Sequence, residues 1–208
     1  MKSNLIVICC FFAGILCGMF GGEELAAYCT KLPTWLLYVL IIQVGLNIGS
    51  NGEMGAMLRS VRLSSLLLPL FTILGTLLFS AIASVLLKTW NVYDCMAVGS
   101  GFAYYSLSSL LIVQFKEASA GIEIATQLGT IALLANIIRE MMALFGAPVY
   151  ASLFGKFAPV SVAGINSMDV CLPVISRYSG KGIVPIAIIH GIILEISVPL
   201  LISLFCKL

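Results

Sequence analysis

The stretch GINSMDVCLPVI, residues 164–175, places Asn166, Ser167 and Asp169 within a strongly apolar chain and meets a proline at Pro173. Arg139, Glu140, His190 and Glu195 also fall in apolar surroundings. At mid-bilayer an Asp or Arg costs about 2.5–3.5 kcal/mol on insertion scales, so intramembrane ionisable groups mark a pathway or a site by default. Asn166, Ser167 and Asp169 in a broken segment combine free backbone carbonyls with a carboxylate, which is a cation-binding chemistry. An alternative reading makes Asp169 the cap of a helix starting near Val170, with Pro173 tolerated in its first turn.

In QLGTIALLANIIREMMALF, helical spacing puts Gly129, Ala132, Asn136, Glu140 and Ala143 on one face. Small residues let another backbone approach. Asn136 and Glu140 would then point together into the gap, unless Arg139 and Glu140 merely pair with each other or mark the end of a span. His190 and Glu195 are five positions apart, roughly 140° around a helix, and cannot share a face. His190 reads as a hydrogen-bonded structural residue or a proton carrier. Metal ligation is disfavoured, because no second His or Cys is suitably spaced.

The elements that must hold these residues are membrane elements. Of 208 residues, 61% are hydrophobic and 10% charged, against roughly 25% charged in soluble domains. The net charge of +2 is scattered, which excludes a nucleic-acid surface. The seven cysteines (Cys9, Cys10, Cys17, Cys29, Cys95, Cys171, Cys206) show no CxxC spacing and read as small hydrophobes. The N-terminal run resembles a signal peptide without its cleavage site, and reads as a first span. No nucleophile with a base, Walker loop or metalloprotease motif is present, so an enzyme is not expected. An aspartyl protease would need a second membrane Asp, and Asp94 is expected in a loop.

The sequence holds about seven apolar segments, near 4–20, 35–50, 63–87, 96–115, 122–154, 160–175 and 183–206. Gly, Ser and Pro interrupt the fourth and sixth, which are expected to be broken or re-entrant. The sequence therefore predicts an all-α integral membrane protein, transporter-like, with residues 1–208 as a single transmembrane domain. GFAYYSLSSLLI (101–112) weakly echoes GINSMDVCLPVI, and paired interrupted segments point to a secondary transporter's binding site. Basic loop residues place Lys2, Arg59 and Arg62 inside. Simple alternation then puts Lys116 inside, Arg177 and Lys181 inside if 160–175 crosses, and the C-terminus outside.

Taken in order, GFAYYSLSS, LLANIIRE, GINSMDVCLPVI and VPIAIIHGIILEISVPLL resemble the membrane core of the LysO family of lysine exporters, and LIIQVGLNIGSNG extends the likeness over nearly the whole chain. The resemblance implies proton-driven export of L-lysine across the bacterial cytoplasmic membrane, without metal or cofactor. Glu140 and Asp169 would be the functional pair, with Asn136, Asn166 and Ser167 beside them. Tyr105, Ser106, Ser108, Arg139, His190 and Glu195 would support them. Family members carry further N-terminal spans, so a homodimer or a small membrane partner supplying such spans is expected. Glu195 stands where the family pattern has a small or hydroxyl residue, a departure able to shift substrate preference. Export of another basic metabolite, cation/proton exchange and a non-transporting membrane subunit remain the alternatives.

Overall fold

The computed structural model describes residues 66–208, together with isolated helical positions at Ala13, Leu16, Trp35, Val39 and Ile42. The chain divides into compact units Met1–Val39 and Leu40–Leu208, and residues 66–208 belong to the second. Apart from those isolated positions, the expected spans near 4–20 and 35–50 lie outside the described residues.

From residue 66 onward, the described chain is helical, with no strand among the described residues. In chain order the α-helices are α1 (Leu67–Leu86), α2 (Val92–Gly99), α3 (Tyr105–Ala120), α4 (Ile122–Phe154), α5 (Ala158–Ala163), α6 (Leu172–Ser179) and α7 (Val184–Lys207). Short 3-10 turns cover Gly164–Met168 and Lys181–Ile183. Among the described residues, three helical stretches are long and apolar enough to cross a membrane: Leu67–Leu86, Ile122–Phe154 and Lys181–Lys207. The two interrupted segments are not among them.

Neither interrupted segment crosses. The first enters as α2, breaks at residues 100–104 and returns as α3. Asn91 caps α2, its Oδ1 accepting from the Asp94 amide at 2.7 Å. Lys116, near the end of α3, pairs with Asp94 at the start of α2 (Nζ–Oδ1 2.7 Å). An ion pair joining entry to exit requires both ends of the segment to lie at the same level. The second segment repeats this from the other end of α4. It enters as α5, turns through Gly164–Met168 and leaves as α6. Val160 from its way in and Cys171 and Ile175 from its way out share one apolar cluster with Ile183, Ala143 and Ala187.

Two expectations are thereby corrected. Asp94 is not in a loop: it lies within α2 and is buried. Lys116 does not return to the side from which α1 starts, because α2–α3 turns back halfway. The second hairpin also turns back, the two departures cancel, and the C-terminus ends at the level simple alternation gives it. Non-helical backbone at membrane depth survives only where protein buries it, and both turns are buried almost throughout.

In a background stripped of native cysteines, single cysteines at positions 88 and 117 should react with a membrane-impermeant maleimide from one side of the membrane. Cysteines at 156 and 181 should react from the other. Labelling of 88 and 117 from opposite sides would show that α2–α3 crosses.

Candidate functional site

The hairpin tips meet halfway along α4, whose 33 residues run from 122 to 154 and are centred near Arg139. Phe102 and Ala103 form the first tip with positive φ of 44° and 74°, a conformation costing of order 1–3 kcal/mol per non-glycine residue unless neighbours enforce it. Asn136 is one enforcer: its Oδ1 accepts from the Ala103 amide at 2.7 Å while its Nδ2 donates to Ala132 O at 2.8 Å. The second tip is the other, its Ile165 amide donating to Phe102 O at 3.0 Å. Gly164 makes this crossing possible. Its φ is +62°, and a Cβ there would lie 2.3 Å from Phe102 O. Gly101 is equally confined, since a Cβ would lie 2.3 Å from Asn136 Nδ2.

Arg139 serves the second tip. Its Nε donates to Val162 O at 3.0 Å and its Nη2 to Ser161 O at 3.1 Å, while the guanidinium lies 5.8 Å from the centre of the Phe102 ring. Carbonyls in the last turn of a helix have no partner within it, and charged donors there contribute about 1.5–3 kcal/mol each. Arg139 therefore ties α4 to the end of α5. The reading in which it pairs with Glu140 is not what the structure shows.

Glu140, freed of Arg139, is 4% exposed and within side-chain hydrogen-bonding reach of Asn166. Asn166 Nδ2 also makes a long contact of 3.5 Å to Ala103 O. Asp169 lies within electrostatic reach of both Glu140 and Glu195. It is exposed, and its Oδ1 accepts from the Val170 amide. As a helix cap it does only that: α6 starts at Leu172 behind Cys171, without a side-chain cap, and Pro173 sits in the first turn. Tyr105 lies within reach of Glu140 and Asp169, and Tyr104 within reach of Asp169 and Glu195.

The remaining polar residues brace this arrangement. Ser108 Oγ receives Asn136 Nδ2 at 3.3 Å, whereas Ser106 is half-buried in the first turn of α3. Ser167 Oγ donates to Ala187 O at 2.8 Å and lies 3.2 Å from His190 Nδ1. His190 Nε2 is 3.0 Å from Thr72 Oγ1, which lies 2.6 Å from Ser161 Oγ. Fully buried His190 thus links α1, α7 and the second hairpin, a positioning role. Ser167 belongs with this brace through those two contacts. Thr72 was not legible as a site residue, because a lone Thr in an apolar helix has no pattern.

Gly129, Ala132, Asn136, Glu140, Ala143 and also Ala147 are all buried on one face of α4. Gly129 packs on α3, where a Cβ would lie 2.5 Å from Val113 Cγ2. The backbone that this part of the stripe admits is therefore that of α3, within the same chain.

Three apolar helical stretches and two opposed half-way hairpins with carboxylates where they meet make this a multi-pass protein of the all-α class, set in the bacterial inner membrane. Residues 8–206 match the family model described as "Lysine exporter LysO", and the chain belongs to that family. "Lysine exporter LysO" of Escherichia coli K12 is 27% identical over 186 residues, covering 88% of this chain and 58% of that protein. The chain therefore spans less than two thirds of that relative. A Haemophilus influenzae protein named "Putative lysine exporter" is 28% identical over 174 residues, 82% of each chain. No solved structure matches.

Arg139→Gln should lower the detergent melting temperature and membrane abundance, because it leaves the Ser161 and Val162 carbonyls without donors. Gly164→Ala should do the same through backbone strain. Melting curves of purified protein check both, with an expected loss of at least about 2 kcal/mol each.

Proposed function

We propose that this chain exports L-lysine from the cytoplasm in exchange for protons, with Glu140 and Asp169 as the groups that carry both in turn. One observation carries this reading: a buried Glu140 stands at mid-membrane beside Asn166 and within reach of Asp169, while the neighbouring Arg139 is committed to backbone carbonyls. The family supports lysine as the cargo.

Carboxylates held close together in a poorly solvated site repel each other, and the repulsion is relieved by a proton or by a cation. An ammonium group of lysine and a proton are thus alternative occupants. Lysine leaving as a net cation works against an inside-negative potential, at about 2.3 kcal/mol per charge per 100 mV. One-for-one exchange with a proton removes that cost. Asp169, the exposed member, is where an occupant arrives; Glu140 is where it is stripped of water.

The end of the molecule at which α1 starts is read as cytoplasmic. Arg59 and Arg62 precede α1 in the sequence, and Lys156, Arg177 and Lys181 lie around the open end of the second hairpin. The opposite end carries Lys88, the ion-paired Lys116 and Lys207. More basic residues at the first end favour its cytoplasmic placement.

The working unit is read as an assembly, either a homodimer or this chain with a small membrane partner that adds spans. Asp169 and Val170 are exposed at the level of the tips, where irregular backbone needs cover. Mild-detergent purification should yield a particle larger than one 22.2 kDa chain, and lysine efflux should depend on it. A monomer that transports alone after reconstitution contradicts this.

Glu140→Gln and Asp169→Asn should each reduce lysine efflux at least a hundredfold at unchanged membrane abundance. Cells fed a lysine-containing dipeptide provide the assay. Near-normal efflux from either variant removes that residue from the site.

A further inference from the structure

Glu195 is the twelfth of the 24 residues of α7 and so lies at the middle of that helix. One turn earlier on the same face, Gly191 presses against the second tip, where a Cβ would lie 2.8 Å from Ile165 O and from Met168 Cβ. Glu195 is thus one helical turn from the contact between α7 and the hairpin turn. It is 4% exposed, and its Oε2 is buried without a hydrogen-bond partner. Asp169 and the first tip's Tyr104 are within its electrostatic reach. A buried, unpartnered carboxylate oxygen costs several kcal/mol unless a proton or cation joins it.

No cation of the described core is free to do so. Arg139 is bonded to the Ser161 and Val162 carbonyls, and Lys116 is paired with Asp94. The described site accordingly offers three carboxylates, Glu140, Asp169 and Glu195, and two tyrosines nearby. Lysine brings two ammonium groups and one carboxylate. Its carboxylate would enter a ring of like charge with only neutral hydroxyls and amides to receive it. An aliphatic diamine brings the same two ammonium groups and nothing for the ring to repel.

We propose that Glu195 is a third ligand-facing carboxylate and that the site accepts dicationic aliphatic diamines as well as lysine. This rests on the export reading above. Two ammonium groups seated on three carboxylates leave one negative charge, which a single proton neutralises, so the complex with a diamine closes electrically without any basic residue. Glu195 is the group that makes room for the second ammonium once the first is held between Glu140 and Asp169.

The test uses the full chain in proteoliposomes loaded with radiolabelled lysine, with 1,5-diaminopentane and 6-aminohexanoate as unlabelled competitors, and the melting temperature of the purified protein with each compound. Diaminopentane should compete with lysine and raise the melting temperature, with 6-aminohexanoate at least tenfold weaker in both. Glu195→Gln should weaken the diamine at least tenfold more than it weakens lysine. Glu195→Ser should behave alike, which separates loss of charge from misfit of the amide.

Lysine movement with no diamine effect, or an unchanged diamine-to-lysine ratio in both variants, overturns the proposal and leaves the export reading standing. Diamine stabilisation that depends on Glu195, without any lysine movement, supports the proposal and overturns lysine as cargo.

Discussion

Backbone without helical hydrogen bonds can exist at mid-membrane only if something else supplies the partners. In this protein the two interrupted segments supply them to each other. The bond from the Ile165 amide to Phe102 O joins the tips, and the two side chains that complete the join, Asn136 and Arg139, come from a single helix. Everything at the site depends on that junction. The glycines at 101 and 164 are there because a Cβ would collide, Arg139 is drawn away from its neighbour, and Glu140 is left buried beside Asn166.

The junction also separates structural polar groups from ones with chemistry left over. Asn136, Arg139, Ser167 and His190 spend their hydrogen-bonding capacity on the fold. Glu140, Asp169 and Glu195 spend less of theirs, and on the proposed reading the repulsion among them is a standing demand for protons or cations. Exchange transport uses such a demand, because either occupant satisfies it and neither needs to be held tightly. Asp94 and Lys116 form a contrasting case: a pair of opposite charges that neutralise each other and fasten the mouth of the first hairpin.

Much of this was legible in the sequence. Helix α4 and the spans that became α1 and α7 were marked by unbroken apolar runs, and the stripe from Gly129 through Asn136 and Glu140 to Ala143 was visible from helical spacing alone. The breaks near 101 and 164 were marked by Gly and Ser. Their direction was not, because a hairpin and a kinked span have the same hydropathy. Only the pairing of Asp94 with Lys116, 22 residues apart, and the shared cluster of Val160 and Ile175 reveal the turning back. Adjacent Arg139 and Glu140 suggested a pair, since sequence shows proximity along the chain but not the carbonyls of Ser161 and Val162 waiting across the fold. Glu195 was visible as an oddity and became meaningful once Gly191, one turn away, was seen against the second tip.

In the proposed exchange, protons and ammonium groups compete for the same carboxylates. Calorimetry of lysine binding to the purified protein, run at one pH in buffers of different ionisation enthalpy, measures the protons released per lysine bound. Net release is expected from the wild-type protein, abolished when Glu140 and Asp169 are both replaced by their amides. Lysine binding with no proton release in the wild type, at any pH where it binds, would contradict it.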